Sequence, residues 1–561
     1  MKNTILLLIF LCLSAASHGQ RQHLVISGSD AGETKAIDSL GYARVHANAK
    51  SVADEAAAFT QKLKKNGYFS AELTSSQKVS DTTFNYTFAL GKKIKNIHIY
   101  IGSDKVRNLA FPRINSDTLT IAPNQVESLL NDALQVLERK GYSLATLNLE
   151  NFKQRRNDLY TELHLETGKL RQVNDIVING YDKFPEGHKK NIRRLYKGKT
   201  FTQDNLKKIY DDFAKFRFVT QTKYPEILFT KDTTKVYVYL EKAKANRFDG
   251  FLGFSNDQEE GKSKLQLNGY LDLLLVNALN TGEEFTILWK SDGKQQKSFH
   301  AGVDLPYVFR SPFGLKANLE IFKQDSTYQN TKTAIEVGYF FNYNTRVYLG
   351  YQATESSDIQ NTNTALISDY KNKFLTGTFT FKRFRHDDFL FPEESLLTLR
   401  AGVGSRVSKL GKDGQAFGEI SAMQNLYLNE KNIVNLKSQN YYLQSGHYII
   451  SELYRFGGIN SIRGFNENSL QASLLTSLLS EYRYVFAPGL YVHSIIDYAY
   501  FRDESRVAST GNSGSLLGLG FGFGFLTKNG LFNLVYANGT PDGQQIKLSN
   551  SIVHVSFKAN F

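Results

Sequence analysis

The chain reads as an all-β transmembrane barrel of 16 antiparallel strands preceded by α+β repeats of β-α-α-β-β order. Three observations predict it. The C-terminal region alternates apolar and polar residues in segments of about 10. The N-terminal region repeats helical stretches and paired strands with a period of about 75 residues. After the first residues, no apolar run approaches the roughly 18 that a spanning helix needs, so any embedding in a membrane is by strands. With 561 residues the chain is too long for one ordinary domain, and its 31 Tyr and 40 Phe suit strands and membrane interfaces.

Residues 1–19 read as a secretory signal: Lys2 is the charged end, Ile5 to Leu13 the apolar run, and Ser17 and Gly19 the small residues before a cut at Gln20. Cys12, the only cysteine, lies inside that run. Phe10, Leu11 and Leu13 around it lack the small residues of a lipid-attachment box. The chain from Gln20 on therefore has no thiol, which excludes disulfides, thiolate metal sites and cysteine catalysis.

Residues 20–91, 92–168 and 169–244 form three copies of the repeat. In the first, a short strand near Leu24–Ser27 precedes a helix from Ser51 to Lys65, with Ser51 and Asp54 spaced as a capping box and Gly67 as a stop. Strands near 69–76 and 83–90 follow. The second copy has strand Ile94–Ile101, helix Pro123–Lys140, and strands near 143–151 and 159–166. Gly67-Tyr68 and Gly141-Tyr142 mark the same helix end in both, 74 residues apart. The third has strand Val173–Asn179, helices near 187–196 and 203–216, and strands near 224–230 and 234–241. Most of the net charge of +14 lies in this arm. Residues 21–244 hold 37 basic and 25 acidic side chains, whereas 245–561 hold 30 and 29, close to neutral.

Residues 245–561 carry the barrel. Sixteen strands are expected, from 247–255 and 264–275 through 416–428, 433–445, 476–486, 490–501, 515–527 and 530–537 to a last one at 547–561. In Leu517-Gly518-Leu519-Gly520-Phe521-Gly522-Phe523-Gly524-Phe525 every odd position is large and apolar and every even one glycine, a pattern for a barrel wall whose odd residues face lipid. Tyr482, Tyr484 and Phe486 alternate with Glu481, Arg483 and Val485, and Val553, Val555 and Phe557 with His554, Ser556 and Lys558.

Between the eleventh and twelfth expected strands lies a long loop, Arg455-Phe456-Gly457-Gly458-Ile459-Asn460-Ser461-Ile462-Arg463-Gly464-Phe465, with five strands between it and Phe561. A loop folded into a water-accessible lumen needs an anchor on the wall, and the planar fork of arginine holds a carboxylate in two parallel hydrogen bonds. Glu481 and Asp497 lie on strand faces opposite Tyr482 and Tyr498, so both are expected to point inward at Arg463. Gly464 permits close backbone approach and Phe465 can wedge against the wall.

With its placement in this architecture, the Arg-Gly-Phe loop resembles the signature of the outer-membrane assembly and translocation barrel superfamily. That superfamily carries POTRA domains and includes BamA, TamA (surface antigen type) and the two-partner secretion transporters. The β-α-α-β-β repeats resemble POTRA domains. The resemblance implies an inward-folded loop whose tip meets acidic residues of the following strands. It also implies a protein that assembles or exports other proteins at the outer membrane of a Gram-negative-type bacterium, with the arm in the periplasm. For BamA-like members it implies edge pairing, in which the seam between first and last strands opens and templates a client strand. Here the seam residues are Gly250, Phe251 and Gly253 in the first strand and Phe557 and Phe561 in the last. The two glycines weaken pairing; the last strand has none.

A helical face formed by Lys189, Lys190, Arg193, Arg194 and Lys197 is a candidate contact for anionic lipid or an acidic client. The expected partners are unfolded outer-membrane or exported proteins, outer-membrane lipids and periplasmic or lipoprotein companions. No motif supports nucleic-acid binding, and no cofactor is expected. There is no Gly-x-Ser-x-Gly elbow and no phosphate loop, so no enzyme is expected. Arg385-His386-Asp387-Asp388 groups hard-metal ligand types, but in an inter-strand loop it reads as solvated polar residues. Three POTRA-like units point to an assembly factor of the TamA type. The alternative is a two-partner secretion transporter exporting a dedicated passenger, against which stand the absence of a leading plug helix and the presence of only 9 Pro.

Overall fold

The computed structural model describes residues 21–559 except 260–261, 292–295, 365, 386–387, 389, 392, 410, 506–511, 528–529 and 542–550, with backbone alone for 251–268 and 556–559. The expected signal at 1–19 and the terminal Phe561 lie outside the described residues, as do His386 and Asp387.

β1 (Gln22–Gly28), β2 (Val45–His46), β3 (Glu72–Lys78) and β4 (Thr83–Ala89) form a sheet of order β2-β1-β4-β3, with β1 parallel to β4. Helices Ala31–Leu40 and Ala49–Lys65 pack on it, Ile37, Val52, Phe59 and Leu63 meeting Leu24, Ile26 and Phe88 in one core. β5 (Asn96–Tyr100), β6 (Thr118–Ile121), β7 (Thr146–Arg155) and β8 (Asp158–Glu166) repeat the topology as β6-β5-β8-β7, with β5 parallel to β8 and helices Asp104–Ala110 and Val126–Arg139. β9 (Asp175–Asn179), β10 (Val219–Phe229) and β11 (Thr234–Lys242) give β10-β11-β9, with β9 parallel to β11 and helices Glu186–Tyr196 and Gln203–Ala214. In each sheet the first strand lies parallel beside the last, which is how two intervening helices can cross over one face.

The glycines at 67 and 141 close their helices identically. Tyr68 N–H donates to Leu63 O (3.1 Å) and Tyr142 N–H to Leu137 O (3.0 Å), with Gly67 and Gly141 in the left-handed region at φ +96° and +94°. This is a Schellman stop, and it needs glycine. Each glycine carbonyl then accepts from the next repeat, Ile94 N–H to Gly67 O and Arg171 N–H to Gly141 O, both at 2.9 Å.

The first repeat corrects two expectations. It has a helix at Ala31–Leu40 that periodicity did not reveal, because Ile37 is its only buried residue. The second helix starts earlier than Ser51. Asn48 is the cap, accepting from Ser51 N–H at 2.9 Å, so Ser51 is the third helical residue of the box rather than its first. In the second repeat, residues 123–125 form a 3-10 turn ahead of the α-helix.

The remaining strands form one antiparallel sheet and a ribbon. They are β12 (Arg247–Glu259), β13 (Lys262–Val276), β14 (Glu284–Ser291), β15 (Gln296–Leu305), β16 (Phe313–Gln324), β17 (Tyr328–Asn342), β18 (Thr345–Asp358), β19 (Tyr370–Phe384), β20 (Glu393–Ser408), β21 (Gly411–Tyr427) and β22 (Asn432–Gln444). The short β23 (Tyr454–Phe456) and β24 (Leu470–Ala472) pair only with each other. Then come β25 (Leu474–Ala487), β26 (Leu490–Arg502), β27 (Ser513–Thr527), β28 (Gly530–Pro541) and β29 (Ile552–Ala559). All sixteen expected strands are present in consecutive order, β12 through β22 and then β25 through β29.

Burial across this sheet is the reverse of a water-soluble core. Ile335, Tyr351, Leu375 and Val403 are register neighbours on four adjacent strands, and Ile335, Leu375 and Val403 are 61%, 65% and 62% exposed. The opposite face hides polar side chains: Gln352 is 6% and Thr376 1% exposed, with Thr354, Ser356, Asn372 and Thr378 beside them. An apolar outer belt around a polar interior is stable against hydrocarbon, not water. No helix among the described residues is long and apolar enough to cross a membrane.

The chain divides into two compact units: the residues up to Gln172 with Thr200–Asp204, and Val173–Lys199 with the chain from Asn205 on. The third α+β sheet thus belongs with the barrel. Asn191 Nδ2 donates to Ser311 O (3.0 Å), Asn277 Nδ2 to Tyr181 Oη (2.9 Å) and Arg194 Nη2 to Phe340 O (3.2 Å).

Candidate functional site: a lumen loop and its anchors

The segment between β22 and β25 is built as a stem and a tip. The stem is the β23–β24 ribbon, Tyr454 opposite Ala472 and Phe456 opposite Leu470. Phe456, Ile462 and Ala472 bury themselves against Leu475, Leu479, Ala499 and Leu516 of the wall. This apolar footing sets the tip where Arg463 can reach β25 and β26.

Arg463 is buried, and fully buried Asp497 takes most of its donors. Its Nε donates to Asp497 Oδ2 (2.7 Å), Nη2 to Oδ1 (2.5 Å) and its backbone N–H to Oδ2 (3.0 Å). Nη1 pairs with Glu481, whose other oxygen accepts from Arg483 Nε (2.7 Å) and Nη2 (2.6 Å). Two arginines and two carboxylates thus form one network with every carboxylate oxygen used. It fixes a position rather than performing a reaction.

The wall glycines make room for the tip. A Cβ on Gly518 would stand 2.5 Å from Arg463 O, and one on Gly539 2.5 Å from the Phe465 ring and 2.6 Å from Gly464 O. Gly464 itself has φ +86° and lies against the backbone of Asn538 and Gly539. The alternating Gly stripe of β27 is therefore a groove on the lumen side: Gly518 receives the loop, and Gly522 and Gly524 receive the rings of His493 and Tyr491. Sequence reasoning placed Arg463, Gly464, Phe465, Glu481 and Asp497 together, and the structure brings all five into contact or close approach. It missed Gly518 and Gly539, although their place on the face opposite the aromatics was the available signal.

The tip also touches both sides of the seam. Gly464 N–H approaches His554 Nε2 of β29 at 3.4 Å, while Glu467 pairs with Lys290 of β14 and Asn468 O accepts from Gln296 of β15 at 3.4 Å. Among the described residues β12 ladders with β13 and β29 with β28, and no ladder joins β12 to β29, although the two strands approach within 8 Å between Cα atoms. Gly250 and Gly253 lie in register with Leu271 and Asn268 of β13. Phe251 pairs by backbone with Tyr270, and Phe557 with Phe532. The side chains of Phe251 and Phe557, and Phe561 altogether, lie outside the described residues.

The basic helical face is largely committed within the molecule. Arg193 binds Asp175 (3.0 Å) and Ile176 O, Arg194 binds Phe340 O, and Lys189 pairs with Glu186 (3.2 Å). Lys190 and Lys197 are left exposed. The same helix holds a residue that sequence reasoning missed. His188 is fully buried among Phe184, Phe216, Phe218, Tyr307 and Tyr343, its ring centroid 4.9 Å from those of Phe216 and Tyr307. Neither ring nitrogen has a hydrogen-bond partner among the described residues. Burial, with a smaller contribution from the Arg346 charge, pushes its pKa down to about 3, so it is neutral. No group of metal-ligating side chains occurs among the described residues.

No protein-family model matches the chain, and no curated protein matches it in sequence. Among solved structures it is similar to CdiB from Acinetobacter baumannii at 12% identity and TM-score 0.51, over 83% of this chain and 90% of that one. At that identity the likeness is one of fold. CdiB from Escherichia coli (14% identity, TM-score 0.49, 90% and 98% covered) and BamA from Haemophilus ducreyi lacking POTRA domains 1–3 (13%, 0.47, 84% and 100%) are also similar. In this chain the fold comprises a sixteen-stranded antiparallel sheet preceded by α+β units.

Proposed function

We propose that the protein is an assembly factor of the outer membrane, with its arm in the periplasm. In this reading the POTRA-like units 20–91, 92–168 and 169–244 receive unfolded clients, and the seam of the barrel, 245–561, templates their terminal strand. The observation that supports it most directly is that, among the described residues, no ladder closes the seam between β12 and β29. A strand edge with unsatisfied N–H and C=O groups binds an extended segment by main-chain pairing, and Gly250 and Gly253 lower the cost of parting β12 from its neighbours. Residues 463–465 and their anchors then act as a conformational latch beside that seam. Lys190 and Lys197 are the cationic side chains left for anionic headgroups or an acidic partner. Outer-membrane lipids and periplasmic or lipoprotein companions complete the expected partners.

Reconstitution tests the proposal. Vesicles containing the protein should speed the folding of an unfolded outer-membrane porin added outside, read as the heat-modifiable gel shift, over empty vesicles. No acceleration, together with passage of a soluble extended passenger into the vesicles, would replace assembly by two-partner secretion.

A further inference from the structure

The residues before the stem make a second set of contacts that the Arg463 latch does not explain. Arg406 of β20 has no exposed surface, and its charge is shared between Asp413 of β21 and Glu452 of the loop. Both oxygens of Glu452 have further donors: Ile449 N–H at 3.0 Å on one, Gln415 Nε2 at 2.8 Å on the other. Beside it Ser451 O accepts from Asn330 Nδ2 of β17 (2.6 Å) and Tyr370 Oη of β19 (3.3 Å), and Ile450 N–H donates to Leu366 O (2.8 Å). Arg455 reaches Tyr328 Oη of β17 at 2.6 Å. The root of the loop is therefore held by β17 to β21, and the tip by β14, β15, β22 and β25 to β29.

Between root and tip stand Gly457 and Gly458, both in the left-handed region at φ +103° and +101°, with Asn468 at φ +55° in the turn before the returning strand β24. Consecutive residues of this kind can absorb a large backbone change at small steric cost. The two charge clusters lie on opposite sides of them and share no residue.

We propose that Glu452 is a positioning residue: pinned by Arg406, Gln415 and the Ile449 N–H, it is a fixed post about which the tip, residues 459–469, swings on Gly457–Gly458 when the Arg463 contact opens. The inference rests on the reading of the loop as a latch in a lumen. It adds that the stem stays in the lumen while the tip moves, so release of Arg463 alone does not empty the pore.

Full-length protein lacking cysteine after residue 19 allows site-specific spin labels. One pair, at Asn460 and Glu430, reports the tip, and another, at His447 and Lys371, reports the root. Arg463→Ala should broaden the tip distance alone and change vesicle ion conductance by less than about twofold. Glu452→Ala should broaden the root distance alone. Both together should broaden both and raise conductance about tenfold or more, a non-additive result expected of two restraints on one segment. Glu452→Gln, whose amide oxygen still accepts from Arg406 and the Ile449 N–H, should broaden the root distance less than Glu452→Ala, separating lost pairing from a failed fold. Broadening of the root by Arg463→Ala, or conductance in that variant equal to the double variant, would overturn the proposal. The measurements contain no client, so a failure of client assembly leaves them standing, and their failure leaves assembly standing.

Discussion

Arg463→Ala removes the guanidinium and leaves its partners in place. Asp497 has no exposed surface and takes two side-chain donors from Arg463, at 2.7 and 2.5 Å; after the substitution only the backbone N–H at 3.0 Å remains. Glu481 is less affected because Arg483 still supplies two donors. Breaking a buried pair from one side costs about 3–5 kcal/mol, because the surviving charge is uncompensated. The barrel ladders do not pass through Arg463, so the cheapest response is for the tip to lift and let water reach Asp497. At roughly 1.4 kcal/mol per tenfold, the lower figure shifts that opening by about 100-fold. Hydrogen exchange of the 462–465 amides should accelerate by about this factor, with β25 and β26 unchanged and the heat-modifiable gel shift intact. Asp497→Asn on the Arg463→Ala background should recover part of the loss, a coupling of about 1–3 kcal/mol. Exchange at 462–465 within threefold of the parent, or strictly additive variants, would refute the latch.

Other outcomes follow from the same contacts. Gly518→Val should exclude the tip, since even a Cβ would stand 2.5 Å from Arg463 O, and so should raise protease cleavage between 457 and 469 without loss of the barrel. Gly282→Ala should loosen the third α+β unit from the barrel, because its Cβ would occupy the His188 ring; faster exchange in the Glu186–Tyr196 helix checks this. His188 has a folded pKa of about 3 against 6.5 unfolded, so the unfolded chain takes up the proton first. Stability is then complete above about pH 6.5 and falls as pH drops, by up to about 1.4 kcal/mol per pH unit until about pH 3. Denaturation midpoints at pH 7 and pH 5 should differ by less in His188→Phe than in the parent, and an equal difference would remove His188 from the account.

The barrel was legible because alternation is a local property. An expected strand at 490–501 and an observed one at Leu490–Arg502 differ by one residue, since each position there is either exposed or buried in turn. Helix Ala31–Leu40 was not legible, with one buried residue in ten and its start fixed by Asp30 accepting from Glu33 N–H. Arg463, Glu481 and Asp497 could be grouped because adjacent strands and a side-chain period of two fix which residues face inward. The Arg406–Glu452 pair joins a strand to a loop 46 residues later, and nothing in the spacing marks it. Arg193 and Arg194 looked free as a helical stripe, but their partners Asp175 and Phe340 come from other elements.

Templating at the seam is tested most directly by disulfide capture. One cysteine replaces Phe251 in β12, in a chain with no other thiol after residue 19, and a second is placed in the terminal strand of a stalled outer-membrane client. The account predicts a disulfide between the two strands, with a register that shifts in steps as the client cysteine is moved. Capture only from lumen-facing positions of the barrel, and only to an extended soluble passenger, would contradict it.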